Sequence, residues 1–189
     1  MNKFIGVVFS LILFVIPSVT LGASSLQSNL ENAYVAPLLT KEGIYAFIYT
    51  PKDWDDNVLG DGSGSFSVEK NFQGEDIGGS IDITMPETND GIYANKKVTW
   101  IAQNYFKEYI SKSYEVKNVK KSKVTIAGVS GYLTEYTFDK STYISISFAK
   151  DGKLYLVNAQ APIKVWKANK VAIKQSLATI QVGEFIIKK

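Results

Sequence analysis

The residues best placed to do chemistry are the acids of one short stretch. Asp53, Asp55, Asn57 and Asp61 set side-chain oxygens at alternate positions within DWDDNVLGDGSG, residues 53–64, the pattern with which a loop wraps calcium. The match then stops. An EF-hand needs glycine at its sixth position and a bidentate glutamate at its twelfth, where this chain has Val58 and Gly64. Aspartate and glycine are also the residues of ordinary turns. A plain connecting loop is therefore the stronger expectation, with no cofactor bound and calcium the one candidate.

Paired carboxylates for acid–base hydrolysis are the second option. The pairs Asp55-Asp56 and Glu75-Asp76 crowd into loops, an exposed setting that does not raise a carboxyl pKa as a general acid requires. The third option is the run Lys117, Lys120, Lys121 and Lys123, the one concentration of like charge in the chain. It would suit a protein partner or an anionic membrane surface. Such a run is more often a solvated sheet edge, where lysine discourages unwanted pairing.

What is missing narrows the chemistry further. The 189 residues include no histidine, no cysteine and no arginine, and all 21 basic residues are lysine. That removes Ser-His-Asp and Cys-His arrangements, His or Cys zinc sites and the arginine fork for phosphate. A binding or assembly module is expected rather than an enzyme. With a net charge of +3 and no arginine, nucleic acid is not an expected partner.

The elements that must position these residues follow an export signal. Lys3 precedes the apolar run from Phe4 to Ile16, Pro17 breaks it, and Thr20, Gly22 and Ala23 are small. At about 13 residues the run is short of the roughly 20 that span a bilayer, so residues 1–23 read as a cleaved signal and the protein as periplasmic or extracellular. Export without disulfides means that the mature part stands on its core alone. It is long enough for one domain, and a monomer is expected. Residues 24–42 read as a lead-in, a short helix or tether, because Leu26, Leu30 and Ala33 fall at helical spacing. The domain is expected over residues 43–189.

Ile44 to Thr50 (IYAFIYT) is apolar at both alternating sets of positions, the pattern of a strand covered on both sides. Ser65 to Phe72 and Gly79 to Met85 read as a strand pair. Val98, Ile101, Ala102, Tyr105, Phe106, Tyr109 and Ile110 form the stripe of an amphipathic helix. Strands follow over Lys123–Ile126, Tyr132–Phe138, Thr142–Phe148 and Leu154–Ala161, the last two joined by an Asp151-Gly152 hairpin. Pro162 opens a closing helix carrying Trp166, Ile173, Leu177 and Ile180, and Phe185–Ile187 suggests a last short strand. The fold class is α+β, with hairpin-length connections implying an antiparallel sheet. Most of the aromatics fall on strand or helix stripes and are expected in the core; Trp54 is expected to pack down beside the acidic loop.

Together these segments resemble the PsbP-like family. The resemblance is carried by GIYAFIYTPKDW (residues 43–54), GVSGYLTEYTF (128–138), KLYLV (153–157), Ala161-Pro162, Trp166 and Ser176-Leu177. It implies an antiparallel sheet of about six strands with helices on both faces, and a non-enzymatic protein that acts by docking. The named members are lumenal subunits of photosystem II that help to retain calcium and chloride. This chain has no histidine and a simple signal, and looks like the family's relatives in organisms without photosynthesis. The expectation is an exported module docking on a protein partner or complex at a membrane surface. The alternatives are a ligand module for calcium or carbohydrate and, behind it, a carboxylate-dependent hydrolase.

Overall fold

A computed structural model describes residues 30–54, 57–60, 62, 64–70, 78–89 and 91–184. Among these residues ten strands run in the order β1 (Leu30–Leu39), β2 (Ile44–Pro51), β3 (Asn57–Gly60), β4 (Ser65–Lys70), β5 (Gly79–Thr84), β6 (Lys117–Ile126), β7 (Val129–Phe138), β8 (Ser141–Lys150), β9 (Lys153–Pro162) and β10 (Gln181–Glu184). Helix α1 (Val98–Tyr105), extended by a π-helical turn over Phe106–Ile110, lies between β5 and β6; α2 (Ile163–Ala178) lies between β9 and β10. Seven strands form one antiparallel sheet in the order β3-β4-β5-β9-β8-β7-β6, and β1-β2-β10 form a second.

Strand alternation sorts the core into two layers. On β9, Tyr155, Val157, Ala159 and Ala161 join a core with Trp166, Ile173 and Leu177 of α2 and with Ile44, Ala46 and Ile48 of β2. Leu154 and Leu156 point the other way, against Ile101 and Ala102 of α1. The large sheet thus carries α1 on one face, and α2 with the small sheet on the other. This is the α+β arrangement with helices on both faces that the sequence implies.

Local chemistry explains the joints. The turns Ala127-Gly128 (φ 50° and 79°) and Asp151-Gly152 (φ 51° and 74°) take positive φ at both central residues, as two-residue hairpins require. Beyond Phe47, strand β2 outruns β10, and its backbone finds partners on α2 and its C-cap instead: the Tyr49 N–H donates to Thr179 Oγ1 at 2.9 Å, and Ser176 Oγ donates to the Tyr49 carbonyl. The two sheets are tied at the β8–β9 hairpin, where Lys150 Nζ donates to the Val182 carbonyl at 2.7 Å and Lys153 Nζ meets Glu42 at 2.8 Å.

Several expectations change. Leu30–Leu39 is a strand, not a helix or tether: it pairs antiparallel with β2 and buries Ala36 and Leu38. The helical spacing of Leu30 and Ala33 yields to β pairing, and the packed body therefore begins ahead of Gly43. Among the described residues strand β2 is fully buried on one side only: on its outer face Tyr45 and Phe47 are half-buried and Tyr49 is 42% exposed. The stretch expected as a loop contains β3, paired with β4 from Asn57↔Glu69 to Gly60↔Phe66. The larger sheet, with seven described strands, matches the expectation of about six, and the second sheet of three was not foreseen. The last described strand is Gln181–Glu184; the expected strand Phe185–Ile187 lies outside the described residues, as does the expected signal.

Candidate functional site

Helix α1 crosses β7, β8 and β9 but not the edge strand β6, and the gap at its C-terminal end is an open groove of about 260 Å³. Its rim is basic. Residues two apart on a strand share a face, so Lys121 and Lys123, opposite Thr134 and Tyr132 of β7, both line the groove, and Lys107 faces them from the helix. Its walls are aromatic, from Tyr105, Phe106 and Tyr132, and hydroxyls of Thr134, Ser145 and Ser147 line its base. The Lys121 ammonium sits 5.0 Å from the Phe106 ring centroid, a cation–π contact.

The helix is shaped for this position. Ser147 Oγ donates to the Ala102 carbonyl at 2.6 Å, four residues before the π turn begins at Phe106. The Ala102 carbonyl thus has a partner outside the helix just ahead of the π turn, and π turns recur at functional sites. Burial raises the Tyr105 hydroxyl well above the ordinary tyrosine range, with smaller contributions from Tyr93, Tyr136 and Tyr114, so Tyr105 is a neutral hydrogen-bond donor.

Electrostatically the groove is one-sided. Its lining includes no carboxylate. Lys107 has a partner in the adjacent Glu108 at 3.6 Å, but Glu108 is engaged mainly by Lys112. Among the described residues no carboxylate pairs with Lys121 or Lys123. The arrangement can hold negative charge beside apolar and hydroxyl-bearing groups. It offers no two carboxylates facing across a cleft.

The four lysines singled out in the sequence do not lie on one face. Lys121 and Lys123 reach the groove. A β-bulge between Lys117 and Lys120, with Asn118 at φ 55°, leaves those two opposite Thr137 and Glu135, hence on the α2 side of the sheet. Lys107, which no sequence pattern connects with the run, joins through tertiary packing. The acidic candidates are dispersed: Asp53 is an exposed turn residue at φ 62°, Asn57 opens β3, and Asp55 and Asp61 lie outside the described residues. Among the described residues no three His, Cys, Asp or Glu side chains cluster as metal ligands would. Trp54 is 1% exposed and part of the core, as expected.

On the same face, the β4–β5–β9 end is polar. Asp82 accepts hydrogen bonds from Ser67 and from Ser80, the latter at 2.8 Å, and a smaller depression of about 160 Å³ lies beside Ser80 and Gln160. The hydroxyls satisfy the carboxylate locally.

No protein-family model matches the sequence, and no curated protein does. Solved structures do match. LpqN of Mycobacterium tuberculosis, described as involved in cell envelope biogenesis, aligns with a TM-score of 0.50 at 11% identity over 85% of this chain and 95% of its own; the two share a fold. PA94 of Pseudomonas aeruginosa, described as of unknown function, aligns at 0.48 and 15% identity, covering 79% of this chain and 96% of its own. Cyanobacterial PsbP (CyanoP) of Synechocystis sp. PCC 6803 aligns at 0.47 and 16% identity, covering 89% and 99%.

Proposed function

We propose that this protein is an exported, non-enzymatic binding module that docks on a protein partner at the cell envelope, using the groove between α1 and β6. The observation that carries the reading is the convergence of Lys107, Lys121 and Lys123 on a groove with aromatic walls and no carboxylate in its lining. A basic rim around an apolar interior is how a docking surface combines steering with contact area. The positively charged start and apolar run at residues 3–16 support export. No helix among the described residues is long and apolar enough to cross a membrane.

The carbohydrate alternative, expected through residues 53–64 and the aromatics beside Trp54, has less support, since Trp54 is 1% exposed. Tyr45, Phe47 and Tyr49 do make an aromatic row on the outer face of β2, but the Phe47 and Tyr49 rings stand 88° apart, so the row is not the flat platform on which a sugar stacks.

Site-directed photo-cross-linking of the exported protein tests the reading. A photoreactive residue at Lys107 or Lys123 should capture one discrete partner. The same residue at Val171, exposed on α2 at the opposite face, should not. Equal capture from both faces, or none from the groove, overturns the proposal.

A further inference from the structure

Among the described residues, strand β6 closes one end of the seven-stranded sheet and hydrogen-bonds to β7 alone. It is ten residues long, contains no proline, and is exposed from Lys117 through Lys123. An uncovered edge of this length is a template for another strand and is normally blocked. The other edges are blocked by geometry. Strand β3 has only four residues, β10 has four, and β1 holds Pro37 and two register shifts. The bulge at Asn118 shortens β6, but Lys120–Ile126 remains in unbroken register with β7. What guards that stretch is charge alone: Lys120, Lys121 and Lys123, with no acid in the strand.

A charge guard is selective where a bulge is not. Like charges opposite one another oppose pairing with a second copy of β6, while opposite charges favour it. We infer that β6 accepts an extended acidic segment of the protein partner as an added strand. Alternate side chains of an incoming strand repeat at about 6.5–7 Å, the same step that separates Lys121 from Lys123, so glutamates two residues apart would meet both lysines. The groove beside them would take the side chains on that face. An anionic membrane could satisfy the lysines but not the free N–H and C=O groups of the edge; only another backbone does both. The inference rests on the docking reading above and adds the partner's chemistry and its mode of attachment.

The probe is a fluorescein-labelled eight-residue peptide alternating glutamate and valine, added to the full exported protein. Its counterparts are a version with a central proline and one with lysine for glutamate. The expected result is binding of the first peptide alone, slower hydrogen exchange at amides of Lys120–Thr125, and unchanged exchange in β1 and β3. Lys121→Gln with Lys123→Gln should weaken binding about tenfold with an unchanged circular dichroism spectrum. Thr125→Pro, which removes one outward edge N–H without touching charge, should weaken it too: the Ile126↔Val129 pair that closes the two-residue hairpin bonds inward, so alternate N–H groups from Thr125 back face away from β7. No binding, equal binding of the proline peptide, binding without amide protection, or binding only to phosphatidylglycerol vesicles would each overturn strand addition. Groove-specific cross-links obtained alongside any of those outcomes would leave the docking reading standing; their absence would remove it independently.

Discussion

The Ser147 hydroxyl donates to the Ala102 carbonyl at 2.6 Å, pinning strand β8 to helix α1 inside the sheet–helix layer. Both residues are buried, and the bond lies where the helix widens and the groove begins. It joins packing to the candidate site: the strand that lines the groove also fixes the helix that overhangs it.

Ser147→Ala should therefore cost about 1–2 kcal/mol, because the buried carbonyl keeps its helical position but loses a donor. At this size that is a fall of roughly 3–6 °C in the unfolding midpoint, measured by thermal circular dichroism. An unchanged midpoint would mean that water or a neighbouring amide replaces the hydroxyl.

Glu135 on β7 gives a pH-dependent test. Burial pushes its carboxyl pKa up, but hydrogen bonds from Lys170 at 2.8 Å and Lys174 at 2.9 Å outweigh that and hold it below the ordinary range. A lowered folded pKa contributes stability that is complete above the unfolded value of about 4.3 and is lost as pH falls through the folded one. Wild type should be more stable than Glu135→Gln by about 1 kcal/mol at neutral pH, and the difference should shrink as pH falls from about 5 toward 3. Urea titrations at several pH values measure it; parallel curves would refute the pairing as a source of stability.

The tryptophans separate core from surface. Trp54→Ala should cost about 3–5 kcal/mol, since the side chain is 1% exposed in the main core. Trp100 is 38% exposed, with Lys96 4.8 Å from its ring, and Trp100→Ala should stay within about 1 kcal/mol. Equal losses in urea would contradict the placement of Trp54.

Calcium decides the acidic stretch. Asn57 begins β3 and Asp53 is a turn residue, so the midpoint in EDTA should match that in millimolar calcium. A bound ion at 100 times its dissociation constant would add about 2.7 kcal/mol. A rise of that size, lost in Asp55→Ala with Asp61→Ala, would restore the loop as a cation site.

The elements of this protein follow from local rules that a linear pattern carries. The Asp151-Gly152 hairpin, the Pro162 start of α2, the α1 stripe through Ile101 and Ala102, and the burial of Trp166, Ile173 and Leu177 depend on turn chemistry and on periods of two and 3.6. The absence of histidine, cysteine and arginine likewise narrowed the chemistry before any fold was known. The errors lie where tertiary pairing overrules such rules. Leu30 and Ala33 fit a helix in isolation, but β2 offers β1 a partner. IYAFIYT reads as covered twice, yet among the described residues the outer face at Tyr49 stays exposed. Asn57–Gly60 is loop-like in composition and becomes a strand because β4 lies beside it. Lysines hide the full length of β6, since a charged run does not read as a strand until it has a neighbour. The groove belongs wholly to the tertiary structure: Lys107 meets Lys121 and Lys123 only because α1 lies across the sheet one strand short of its edge, and no spacing along the chain encodes that meeting.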